Sequence, residues 1–127
     1  MPSGVTQFSA STSPPGADFA ALAKANSEDE GSAVNGGELL MLALATCYCN
    51  DLYREAARLG IALDGVQVEA SAEFPGVGLA ATTIRYRAHV TSAAGAEAIA
   101  QLLRETDAVA EVHNTVRAGV PVELLPP

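Results

Sequence analysis

The chain has 127 residues, 49% of them hydrophobic, which is enough for one core and too few for two, so a single domain over 1–127 is expected. Fifteen acidic residues against seven scattered basic ones give a net charge of −8, which argues against nucleic-acid and membrane-surface partners, since both need a basic footprint. The first residues lack the basic and uninterrupted apolar regions of a signal peptide, and two cysteines without export signals are expected as thiols in a reducing cytoplasm.

In chain order, Val5 to Ser11 alternates briefly and reads as a short strand between Pro2/Gly4 and Pro14-Pro15-Gly16. Ala17 to Ala25 is alanine-rich, helical by propensity yet without a cap or clean stripe, so helix and strand both stay open. Asn26 to Gly37, with Glu28-Asp29-Glu30 and Gly36-Gly37, reads as a solvated loop. Glu38 to Leu59 is then a long helix. From Leu39 to Cys49 only Thr46 is not apolar, so this half is expected to be buried all round. Beyond Asn50, Leu52, Ala56 and Leu59 continue a stripe while Asp51, Arg54, Glu55 and Arg58 form a wet face. Gly60 stops the helix. The apolar run is too short to cross a bilayer and too greasy for one small sheet to hide, which points to a dimer.

Val66, Val68, Ala70, Ala72 and Phe74 alternate with polar residues, and after turn residues Pro75 to Gly78 the pattern returns at Ile84, Tyr86, Ala88 and Val90. Glu69 and Glu73 across from Arg85 and Arg87 suit an antiparallel hairpin. Ser92 is the expected N-cap of a second helix running to about Asp107, with Ala96, Ile99, Ala100 and Leu103 as its apolar stripe. Val109 to Val116 reads as a turn or one helical turn, and Val120, Val122 and Leu124 as a last edge strand carrying Pro121. Helices on one face of an antiparallel sheet make the expected fold class α+β.

The chemistry-bearing residues are few. Cys47 and Cys49 lie about 200° apart around one helix and cannot bridge each other. Cys49 reads as a small buried hydrophobe. Asp51, one turn beyond Cys47, would raise its pKa by like charge. Tyr48 and Tyr53 read as core or rim aromatics, His89 as a solvated strand residue, and His113 and Asn114 as loop and turn residues. No close pair of ligands in a metal-binding spacing occurs, so neither a metal nor a cofactor is expected.

The run GGELLMLALATC, the hairpin, DAVAEVHNTV and the terminal GVPVEL together resemble the family of osmotically inducible protein C and organic hydroperoxide resistance protein (OsmC/Ohr), over about residues 35–125; residues 1–34 match poorly. The resemblance implies an intertwined homodimer with central helices crossing at its heart and active sites at the subunit interface. It places Cys47 where the family's peroxidatic cysteine stands, a thiolate that attacks a hydroperoxide and becomes a sulfenic acid. It also sets His113 and Asn114 in the segment beside the active site, and Glu38, one step along from the family's glutamate position, and Asp51, on the same helix face as Cys47, are the other pocket-lining candidates. The family's resolving cysteine falls at Ala110, its glutamate at Gly37, and its N-terminal arginine has no counterpart, Lys24 being the only earlier cation. Two functions are therefore carried forward. One is a one-cysteine thiol peroxidase acting on small organic hydroperoxides with an external reductant. The other is a non-catalytic dimer that binds a small apolar ligand or acts in assembly.

Overall fold

The computed structural model describes the backbone of residues 4–10 and residues 35–127 in full. The expectation for Ala17 to Ala25, the position of Lys24 and most of the acidic loop lie outside the described residues. The elements run β1 (Gly4–Ala10), α1 (Gly36–Leu59), β2 (Gly65–Phe74), β3 (Thr83–Thr91), α2 (Ala96–Val109) and α3 (Glu111–Ala118). The three strands form one antiparallel sheet in the order β1-β2-β3, with the helices against it. The α+β expectation holds, and the dimer lies beyond what one chain displays.

The hairpin forms in the register that alternation demands. Val66 pairs with Val90, Ala70 with Tyr86 and Ala72 with Ile84, so the apolar side chains share one face. Glu69 stands opposite Arg87 as expected, but Glu73 faces Thr83 and Arg85 faces Ser71, so only one of the two charge pairs is direct. Against this floor α1 lays Met41, Leu44, Ala45, Tyr48, Leu52 and Ala56, all buried, at the three- and four-residue spacing of one helix face. Leu102 of α2 closes the same cluster. Fully burying side chains such as Met41, Leu52 and Leu102 contributes about 1.5–3 kcal/mol each. Arg58 ties α1 to α2 through Glu105 at 2.8 Å, and holds Glu55 of its own helix at 3.0 Å.

Several expectations need correction. The helix α1 begins at Gly36, not Glu38, because Asn35 caps it: its side chain accepts from the Glu38 amide at 2.8 Å while Glu38 accepts from the Asn35 amide at 3.2 Å. Such a reciprocal box holds Gly36 and Gly37 in the first turn, where a loop was expected. The apolar half of α1 is not buried all round within one chain, since Ala43 is exposed and Leu39, Leu40 and Leu42 are only partly covered. Gly95, not Ser92, is the N-cap of α2; Ser92 instead donates to the Ala62 carbonyl at 2.6 Å and accepts from the Ala94 amide. The stripe of α2 is turned relative to expectation, with Ala96 exposed and Leu102 and Thr106 buried. Residues 109–116 form more than one turn, because α3 runs for eight residues to a left-handed cap at Gly119. The expected last strand is not formed: residues 119–127 carry no regular structure, leaving Val122 100% and Leu124 96% exposed.

Candidate functional site

The site is built where α1 meets the start of α3. Cys47 sits near the end of the apolar half of α1, half-buried, and donates its thiol hydrogen to Asp51 Oδ2 at 3.6 Å, the one-turn spacing that puts both on one side of the helix. Asp51 is buried and held in turn by Arg54, whose Nη1 lies 3.0 Å from Oδ1. Arg54 also bonds Glu55 at 3.3 Å. From the other side, the backbone amides of Val112 and Glu111, in the first turn of α3, favour the thiolate.

These influences oppose one another. Burial pushes the Cys47 thiol up, the Val112 amide pulls it down, and the Asp51 charge and hydrogen bond push it up again; the thiol ends above its ordinary range. Burial likewise raises the Asp51 carboxyl, against the pull of Arg54. The thiol donates to Asp51 and Asp51 pairs with Arg54, and both the Asp51 charge and its hydrogen bond hold the proton on the sulfur. Arg54 acts on the sulfur only through Asp51, and no cation is among the groups that shift the thiol.

The other expected site residues divide. His113 does not lie in a loop: it is 4% exposed, the one buried side chain of α3. It is packed between Tyr86 and Tyr48, with ring centroids 4.4 and 5.7 Å away. Neither of its ring nitrogens has a hydrogen-bond partner among the described residues. Tyr48 donates to the Leu103 carbonyl at 2.7 Å, and burial pushes its own hydroxyl up to about 12. Tyr86 donates to Asp107, which also takes Arg117 at 2.7 Å. Asn114 is exposed and braces α3 by donating to the Ala108 carbonyl at 3.0 Å. Glu38 belongs to the helix cap, about nine residues, or roughly 13 Å of helix, from Cys47. Burial raises the thiol of Cys49 as well, on the core side of α1. His89 is exposed and lies 3.7 Å from Glu69. Among the described residues no group of three histidine, cysteine or acidic side chains could hold a metal ion, and no helix is long and apolar enough to cross a membrane.

A Cβ at Gly37 would come within 3.0 Å of the Phe74 ring, so a glutamate there would require that ring to shift. Ala110 is fully buried at the joint between α2 and α3.

With this geometry in view, the model of the OsmC-like protein family matches residues 29–125, and the chain belongs to that family. A solved structure with a similar fold is the OsmC-like hydroperoxide resistance protein from Jannaschia sp. CCS1, at a TM-score of 0.58 and 17% identity, covering 76% of this chain and 67% of that one. No curated protein sequence matches this chain.

Proposed function

We propose that this OsmC-like protein reduces small organic hydroperoxides through Cys47 as a one-cysteine thiol peroxidase. The observation that carries the reading is the Cys47 thiol donating to Asp51 at 3.6 Å beneath the first turn of α3, in a chain of this family. Asp51 takes the thiol proton, the sulfur attacks one peroxide oxygen, the S–O bond forms as the O–O bond breaks, and the departing alkoxide takes a proton from Asp51 to leave as alcohol. Cys47 is then a sulfenic acid. Ala110 stands where a resolving thiol would be, so an external thiol condenses with the sulfenic acid, releasing water, and a second thiol frees the cysteine. The raised thiol makes this chemistry slow at neutral pH.

The homodimer is part of the proposal. It is supported by the uncovered Ala43 and partly covered Leu39, Leu40 and Leu42 of α1, and by the bare Val120, Val122, Leu124 and Leu125. A cytoplasmic location fits the reduced thiols this chemistry needs.

A second reading is favoured by the same raised thiol: a non-catalytic dimer whose apolar interface binds a small ligand or serves assembly. Incubating reduced protein with cumene hydroperoxide and dimedone, then mapping peptides by mass spectrometry, separates the two. Dimedone on Cys47 supports the peroxidase; an unmodified Cys47 with intact fold favours the second reading.

A further inference from the structure

We propose that α3 is a latch over Cys47 that protonation of His113 releases, so that the thiol is shielded near neutral pH and opened by mild acid. α3 packs against α1, and the backbone of its first turn lies beside the half-buried thiol, so the placement of α3 bears on access to Cys47. At the surface α3 is tied to α2 by Asn114 on the Ala108 carbonyl and Arg117 on Asp107, and below it the hold rests on one side chain. His113 is the one buried side chain of the helix, Val112 is only partly covered, and every other residue from Glu111 to Ala118 is exposed. An eight-residue helix has little stability of its own and depends on such an anchor.

The anchor is a titratable group in a place built for its neutral form. The groups facing it are Tyr48 from α1, Tyr86 from β3, Asp107 from α2 and Arg117 from α3 itself. Both tyrosine hydroxyls already donate elsewhere, to the Leu103 carbonyl and to Asp107. The Asp107 carboxylate, the only one among the described residues acting on the imidazole, is engaged by Arg117 and Tyr86. An imidazolium would carry two N–H donors into a site offering neither nitrogen an acceptor. It would also lie near the Arg117 charge. Leaving the pocket hydrates the charge, and the helix must go with it.

The latch does not depend on the peroxide reading, because access to the thiol can be measured with a disulfide reagent. The rate of Cys47 modification by 4,4′-dithiodipyridine, resolved from Cys49 by peptide mapping, is compared with that of glutathione at each pH. This cancels the pH dependence of the reagent, and the influence of Asp51 on Cys47 ionisation is common to the wild type and His113→Phe. The expected result is that the protection of Cys47 relative to glutathione falls at least about threefold between about pH 7.5 and about pH 5, while His113→Phe shows no such fall. Amide exchange in residues 112–116 of the unmodified protein, corrected for intrinsic rates, should quicken over the same range. Constant protection in the wild type, or the same fall in His113→Phe, would overturn the latch. Should His113→Phe not fold, the exchange measurement decides alone: α3 amides still protected near pH 5 contradict the proposal.

Discussion

Cys47 and Tyr48 are neighbours on one helix, yet they face two polar environments of different kinds. Around Cys47 the polar side chains are paired: the thiol bonds Asp51 and Asp51 holds Arg54. Around Tyr48 the hydroxyls are satisfied while the enclosed imidazole of His113 is not. The first cluster joins a half-buried thiol to a carboxylate and a guanidinium. The second is arranged to keep a base neutral, and carries more of the structural load because its rings are packed. A buried polar group that is partnered can serve chemistry, whereas one that is not becomes a point where solution conditions act on the fold.

The largest effect should come from emptying the packed side of this pair. Tyr48→Ala removes a buried ring in edge contact with Tyr86 at 4.6 Å and the bond to Leu103, and should cost about 3–5 kcal/mol in urea unfolding. Cys47→Ala, one residue away, should cost only about 1 kcal/mol. Similar losses for both would mean that the two environments do not differ as described.

Next comes pH. Burial holds the folded His113 below its unfolded value near 6.5, so the folded protein binds fewer protons than the unfolded chain. Its contribution to stability is complete above about pH 6.5 and is lost as the pH falls from there toward the folded value. His113→Phe should flatten the stability profile in that window. Burial would raise the Asp107 carboxyl, but the bonds from Arg117 and Tyr86 outweigh it and hold it below its usual range. The stability from Asp107 is therefore lost only at lower pH, apart from the histidine window.

Asp51→Asn should then move the ionisation of Cys47 to lower pH, read from thiolate absorbance, since a like charge and a hydrogen bond to the neutral thiol are removed together. Burial, the largest influence, remains and opposes the shift. The smallest effect should be Asn35→Ala, at about 1 kcal/mol from loss of the capping box, with Cys47 ionisation unchanged.

Much of this was legible in the residues. The period-two runs through Val66–Phe74 and Ile84–Val90 have one apolar face each, and burying both excludes every odd slip from the observed pairing. The helix stop at Gly60 is equally direct, with its backbone at a positive φ of 71°. Its start was misread because Gly36-Gly37 suggests a turn, although Asn35 and Glu38 at three-residue spacing are a capping signal. The stripe of α2 slipped because alanine marks a face weakly; Ile99, Leu102, Leu103 and Thr106 would have set the phase. The alternation of Val120, Val122 and Leu124 describes a strand seeking an edge, and which edge is a tertiary fact that local pattern does not contain. In the site, Asp51 was readable one turn from Cys47, while Arg54 as a partner of Asp51 was readable only as a helix ion pair. The burial of His113 was not readable, because Tyr48 and Tyr86, which enclose it, lie far from it in the chain.

The central claim is that Cys47, and no other group, performs the reduction. It is tested most directly by counting alcohol released when the fully reduced protein, without added reductant, meets excess cumene hydroperoxide. About one alcohol per chain is expected, retained in Cys49→Ser and abolished in Cys47→Ser. No alcohol above the buffer blank from folded wild-type protein, or an unchanged yield in Cys47→Ser, would contradict it.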